Sequence, residues 1–154
     1  MMVMYNAIDM EKISSNTPIL AIDWGRKRLG LAISDPTRTI ARPLCVFEHI
    51  SRQKNARNIL LKAEENNVGL IIIGINYDEF NVPSFSGRSA MRLLNEIKLH
   101  ASIPVIPWDE TGSTKSAISS RTEVGIKMKK RKGHHDSIAA AFILQSFLDS
   151  DENI

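Results

Sequence analysis

Four acidic residues stand where the chain passes from one predicted element to the next. Asp23 closes the apolar stretch PILAID, Asp109 and Glu110 follow the stretch IPVIPW, and Asp136 opens a long apolar segment. Carboxylates that converge repel one another and are held together by a hard cation such as Mg²⁺ or Mn²⁺. Two such ions about 4 Å apart activate water and stabilise the leaving oxygen of a phosphodiester. These acids are therefore candidate catalytic and metal-binding residues.

Each acid also has a purely structural interpretation. Asp23, which precedes Trp24 and Gly25, could close a hairpin, and Asp109 could cap a turn. Asp136 could be an ordinary acid that interacts with the dipole of a helix N-terminus. Their joint placement at the ends of elements favours a site over three separate caps.

Basic residues flank two of the acids, as a phosphate-backbone ligand requires. A basic turn follows Gly25, and a basic segment precedes Asp136. Solvated cations are the alternative interpretation. The candidate nucleic-acid-binding residues are Arg26, Lys27, Arg28, Arg42, Lys129, Lys130, Arg131 and Lys132.

Hydrophobic periodicity predicts the elements that must position these residues. Strands are predicted over residues 18–23, 29–35, 41–47, 69–75 and 103–108, and helices over 51–67, 88–100 and 136–149, with a short helix after residue 110. Residues 76–87 and 127–135 are predicted loops. Gly25 and Gly30 are interpreted as the permissive positions of a tight turn that lets a backbone come near.

The order of these elements predicts an α/β fold. Three meandering strands followed by αβαβα indicate a mixed five-stranded sheet with helices on both faces. The first, fourth and fifth strands can be parallel, which brings Asp23 and the pair Asp109–Glu110 to one edge of the sheet. Asp136 shares a helical stripe with Ala140 and Ile143, so it is predicted to face the sheet.

Length and composition indicate a soluble globular protein. The chain has 154 residues, of which 43% are hydrophobic and 24% charged, and a net charge of +3. We expect residues 1–17 to be a flexible extension and residues 18–150 to form a single domain. Apolar runs are too short for a membrane helix, the N-terminus lacks a signal-peptide pattern, and Cys45 has no partner for a disulfide. We therefore expect a cytoplasmic protein without a membrane partner.

Several short motifs spread over residues 18–149 match a known family. They are DWG at 23–25, GLA at 30–32, Asp35, ARPL at 41–44, Gly74, Asp109–Glu110, and KKRKGHHDSIAAAFILQSFLD at 129–149. With this set the chain resembles the YqgF (RuvX) family. The resemblance implies an RNase H-like fold, similarity to Holliday-junction resolvases, and a nuclease that matures pre-16S rRNA in the bacterial cytoplasm. It implies that Asp23, Glu110 (or Asp109) and Asp136 bind metal in a two-metal site.

Two segments depart from the family pattern. GINY at 74–77 replaces the usual Gly-Leu-Pro-Leu, and DETGST at 109–114 lacks the arginine that usually follows Asp-Glu. An arginine there would serve as a phosphate clamp or an orienting ion pair. Because this arginine is absent, a second interpretation stays open, namely a catalytically weakened nucleic-acid-binding protein that acts in ribosome assembly.

Other questions stay open at the level of sequence. Pre-rRNA and branched DNA both fit the cation pattern, so a Holliday junction resolvase in recombination or repair is the alternative nuclease. A monomer would suit an RNA end, and a homodimer would suit a symmetric junction. An ATP-binding module of the actin and sugar-kinase type also opens with Asp-x-Gly, but such proteins need a second similar domain, and the remaining sequence shows none.

Overall fold

A computed structural model describes residues 16–110 and 135–153 of the chain. The strands are β1 (Ile19–Trp24), β2 (Arg28–Ser34), β3 (Ala41–Glu48), β4 (Leu70–Ile75) and β5 (Val105–Asp109), and the helices are α1 (Arg52–Glu65), α2 (Phe85–His100) and α3 (His135–Leu148). The predicted short helix after residue 110, the basic loop at 127–134 and most of the N-terminal extension lie outside the described residues.

The five strands form one mixed sheet in the order β3-β2-β1-β4-β5. β1 pairs antiparallel with β2 and parallel with β4, and β5 continues the parallel part. The predicted fold class is therefore confirmed. Pro43 lies on the edge strand β3, where its missing N–H costs no sheet hydrogen bond that a central strand would need.

Two apolar cores lie on opposite faces of the sheet, because side chains alternate along each strand. Leu20 and Ile22 of β1 pack with α1 and α2, whereas Ile19 and Ala21 pack with α3. The whole of β4 is buried, as the continuous apolar run predicted. By the same alternation, the next residue on the α3 side of β1 is Asp23.

Helix α2 begins three residues earlier than the sequence indicated. Residues 85–87, which were predicted to be part of a loop, are therefore helical. The Ser84 hydroxyl accepts a hydrogen bond from the Gly87 backbone N–H and caps the helix at 3.1 Å. Gly87, interpreted as a loop former, lies inside the helix. A Cβ on Gly87 would lie 2.3 Å from the Asn76 carbonyl oxygen, so the close approach of two backbones requires glycine.

The turn between β2 and β3 is organised by Asp35. Its carboxylate accepts hydrogen bonds from the backbone N–H groups of Ile40 and Thr39, each at 2.8 Å, and from Thr37. These bonds, led by the one from Ile40, hold the pKa of the Asp35 carboxyl well below its usual range.

We expect Asp35→Asn to destabilise the protein at neutral pH and to lose that effect in acid. A lowered folded-state pKa contributes stability above the ordinary aspartate pKa of about 4, and the contribution fades as pH falls towards the folded value. Urea unfolding of both proteins between about pH 7 and pH 2 measures this difference. A difference that stays constant with pH would contradict the role of the charged carboxylate.

No helix among the described residues is long and apolar enough to cross a membrane.

Candidate active site

Asp23 lies near the carboxyl end of β1, on the face of the sheet that α3 covers. Its cross-strand partner is Gly30 of β2, so both residues point towards the same face. The two strands are joined by the predicted hairpin, in which the Gly25 N–H donates to the Arg28 carbonyl at 3.0 Å. This short hydrogen-bonded turn therefore fixes the position of Asp23 relative to β2.

Asp136 reaches the same place from the other end of the chain. A Cβ on Gly30 would lie 1.9 Å from the Asp136 carbonyl oxygen, so the first turn of α3 rests directly on β2. The Asp136 Oδ1 atom lies 3.9 Å from the position of a Cβ on Gly25. The interpretation of Gly30 as a turn residue is wrong, because Gly30 lies within β2, but the predicted close approach of another backbone is confirmed and comes from α3.

Glu110 approaches from β5. Its Oε2 atom lies 2.8 Å from the position that a Cβ on Gly74 would occupy, next to Ile143 of α3. Gly74 follows Ile73, which pairs with Ile22, so the Glu110 carboxylate lies over the strand beside Asp23. Glu110 is thus on the α3 face together with Asp23 and Asp136.

Asp109 lies on the opposite face of the sheet. It is exposed, and it is separated from Glu110 by the alternation of β5, whose Val105 packs in the core under α1 and α2. Burial, and secondly the charge of Asp109, raise the pKa of the Tyr77 hydroxyl, which belongs to that same core. Between the two adjacent acids, Glu110 is the one that faces the other carboxylates.

Asp23, Glu110 and Asp136 supply the carboxylate oxygens that a hard divalent cation prefers as ligands. The three side chains are not grouped closely enough to share one ion. Three carboxylates face one side of the sheet, and Gly25 and Gly74 leave that side clear. The Asp136 Oδ2 atom, however, pairs with the Arg28 Nε at 3.4 Å. In the described ranges, no three His, Cys, Asp or Glu side chains come close enough to share one ion. In this arrangement the Asp136 carboxylate is paired with Arg28 and is not grouped with two other described metal-ligating side chains.

The predicted cations fall in different places. Arg26, Lys27 and Arg28 are exposed in or beside the hairpin turn. Of these three, Arg28 pairs with Asp136, whereas the Arg26 guanidinium lies over Phe85 of α2. Arg42 pairs with Ile33, which pairs with Leu20, so it lies at the far end of the strands from Asp23. The structure therefore does not bring Arg42 to the carboxylates. Lys129, Lys130, Arg131 and Lys132 lie outside the described residues.

His49 is a residue of this region that sequence reasoning missed. Its Nε2–H donates to the Gly25 carbonyl at 2.5 Å, and its Nδ1 accepts from the Asn55 side-chain amide at 3.0 Å. Because a carbonyl only accepts, the ring must carry its proton on Nε2. The ring also contacts Trp24, with 5.3 Å between centroids. His49 thereby fixes the hairpin turn, and no spacing in the sequence signals that pairing.

The sheet order, with helices on both faces, is that of the RNase H-like fold. The fold is similar to that of RuvC from T. thermophilus, solved with a Holliday junction substrate, at a TM-score of 0.55 and 16% identity over 86% of this chain and 93% of that one. It is also similar to the large terminase nuclease of phage G20c, at a TM-score of 0.52 and 10% identity over 84% and 80%. The chain belongs to the RuvX family, whose model, described as "RuvX: Holliday junction resolvase", matches residues 17–150.

Curated relatives cover nearly the whole chain. A Rickettsia conorii protein named "Putative pre-16S rRNA nuclease" is 33% identical over 139 residues, 90% of each chain. A protein of the same name from Thermoanaerobacter pseudethanolicus is 37% identical over 136 residues, 88% of this chain and 98% of its own. The family resemblance drawn from the sequence motifs is confirmed.

Proposed function

We propose that this protein is an endonuclease that hydrolyses phosphodiester bonds and processes the 5′ end of pre-16S rRNA in the cytoplasm. The observation that carries the proposal is the meeting of β1, β5 and α3, which directs Asp23, Glu110 and Asp136 to one face of the sheet. The names of the relatives, which span almost the same length, support RNA as the substrate.

Asp23, Glu110 and Asp136 are the residues proposed to hold Mg²⁺ or Mn²⁺, as a two-metal site. When bound, the metal would activate the attacking water and stabilise the leaving oxygen. The chain's own groups would do the rest. Arg28, which pairs with Asp136 at 3.4 Å, would release the carboxylate and contact a phosphate instead. Asp109 is the weaker candidate, because it faces away from the other acids.

The exposed cations of the hairpin turn would hold the nucleic-acid backbone beside the acids. Arg26, Lys27 and Arg28 lie within a few residues of Asp23 along the chain. The predicted basic segment, Lys129 to Lys132, comes shortly before α3 in the sequence and is proposed to contact the same backbone. Such contacts fix the position of the backbone and do not distinguish one base sequence from another.

A Holliday junction resolvase is the second candidate function, since the family model carries that description and the fold is similar to that of RuvC. A protein without turnover, acting in ribosome assembly, is favoured only by the absence of arginine after Glu110. A homodimer would suit the first alternative, and a monomer would suit RNA processing.

The deciding experiment is a cleavage assay on a pre-16S rRNA leader and on a four-way DNA junction, side by side. We expect cleavage of the leader with Mg²⁺ or Mn²⁺ and a loss of cleavage in EDTA that Mg²⁺ restores, because carboxylates alone cannot stabilise the leaving oxygen. Preferential cleavage of the junction would establish the resolvase instead. Salt-dependent binding of both substrates without any cleavage would leave only the assembly function.

A further inference from the structure

A cleft opens at the carboxyl end of β1, on the side of the sheet away from the carboxylates. Its volume is about 170 Å³, and its lining includes Trp24, His49, Arg52, Asn55 and Arg92. Trp24 follows Asp23 directly in the strand, so the cleft and the acids lie on the two faces of one strand end. His49, which binds the Gly25 carbonyl, joins the cleft to the hairpin turn.

The cleft is suited to an anion. No acidic side chain lines it, and both of its arginines are exposed. Within the described part of the chain, neither Arg52 nor Arg92 lies within 4.0 Å of a carboxylate. Two guanidinium groups in a narrow cleft, with hydrogen-bonding side chains beside them, are the arrangement that binds phosphate.

An exposed aromatic ring adjoins this cleft along α2. Phe85, the first residue of the helix, is 63% exposed. The guanidinium carbons of Arg26 and Arg88 lie 6.0 Å and 5.8 Å from its ring centroid. Arg88 and Arg92 are four residues apart on the helix and are therefore neighbours on its surface. A row of side chains thus leads from the hairpin turn over Phe85 to the cleft.

We infer that this row, which we name the α2 track and define as Phe85, Arg88, Arg92 and Arg52, binds single-stranded nucleic acid. One base stacks on Phe85, and a phosphate of the same strand lies in the cleft between Arg52 and Arg92. An aromatic ring flanked by cations is the general means of holding an unpaired base. A duplex end has no unpaired base to place there.

The inference rests on the proposed function and specifies its substrate further. A strand held on the α2 track crosses the end of β1 and reaches the acids on the other face. The preferred substrate is then one in which an unpaired segment flanks the scissile bond. Binding without metal can be measured separately from cleavage, so the two proposals fail by different results.

The test uses fluorescence anisotropy in EDTA with a labelled oligouridine of about 12 nucleotides, within the usual site size of single-strand binders. The double variant Arg52→Ala/Arg92→Ala should bind about 10-fold more weakly, and its plot of log affinity against log salt should flatten by about 0.7, the value for one phosphate contact on a single strand. Phe85→Ala should also bind about 10-fold more weakly, but with an unchanged salt slope, because stacking releases no counterions.

The matched control is Arg57→Ala/Lys98→Ala, which removes the same charge from exposed positions of the same two helices, outside the cleft. It should leave oligouridine affinity within about 2-fold of the parent, since isolated surface charges are screened at physiological salt. An equal loss in this control would show a diffuse electrostatic surface and overturn the α2 track. Unchanged binding by Phe85→Ala, or an equal loss for a fully paired RNA duplex, would overturn the single-strand specificity.

Discussion

Asp23→Asn is expected to lower cleavage by at least about 1,000-fold, which corresponds to about 4 kcal/mol of transition-state stabilisation. The substitution keeps the size of the side chain and removes the charge that would bind the metal. Its cross-strand neighbour is Gly30, so the amide causes no steric conflict with a side chain there. Single-turnover cleavage of the preferred substrate in Mg²⁺ measures the effect.

Nucleic-acid binding separates this result from a loss of fold. Asp23→Asn should bind the uncleaved substrate with an affinity close to that of the parent, because the cations of the hairpin turn are unchanged. Asp151→Asn, an exposed acid just beyond α3, is the matched control and should cleave at the parent rate. Undiminished cleavage by Asp23→Asn would show that the chemistry lies elsewhere.

Gly30→Ala should destabilise the protein by about 3 kcal/mol, at the upper end of the usual cost of overpacking. The added methyl group would lie 1.9 Å from the Asp136 carbonyl oxygen and 2.8 Å from the Ser137 nitrogen, and neither backbone atom can move without shifting α3. Thermal unfolding should show a midpoint lowered by about 6 to 12 °C for a chain of this size.

Gly74→Ala provides the comparison for Gly30→Ala. Here the nearest atoms are the ends of the Glu110 and Ile143 side chains, each 2.8 Å from the added methyl group. Side-chain ends can rotate away, so the free energy of unfolding should change by less than about 1 kcal/mol. Displacing the Glu110 carboxylate should nevertheless slow cleavage by about 100-fold. Equal destabilisation by the two alanines would contradict the assignment of Gly30 as the helix contact.

Much of this fold can be predicted from the sequence because successive side chains of a strand point to opposite faces of the sheet. Ile19, Ala21 and Asp23 do share one face, and β4 is apolar on both faces because helices cover both. The order of elements limited the possible topologies to a few and allowed β1, β4 and β5 to be parallel, as they are in the structure. The role of Ser84 as the N-cap of α2 could not be predicted, because in sequence a capping serine looks like any other polar loop residue.

The candidate site could be predicted only in outline. Adjacent acids such as Asp109 and Glu110 are equivalent in sequence, and only the exact end of β5 decides which one faces α3. Gly30 and Gly74 owe their roles to contacts with residues far along the chain, which no local pattern reveals. The same holds for Arg42, whose motif lies close to that of Asp23 in sequence although the antiparallel strands carry it away.

The contact between α3 and Gly30 also has a consequence for biosynthesis. The last helix supplies Asp136 and at the same time covers the apolar face formed by Ile19, Ala21 and Ile72. Until that helix leaves the ribosome, the apolar face is exposed and Asp136 has not yet joined Asp23 and Glu110. Closing a loop of more than 100 residues is also entropically slow, so this contact forms late. Folding of this face of the sheet and assembly of the proposed acidic site therefore wait until α3 has left the ribosome.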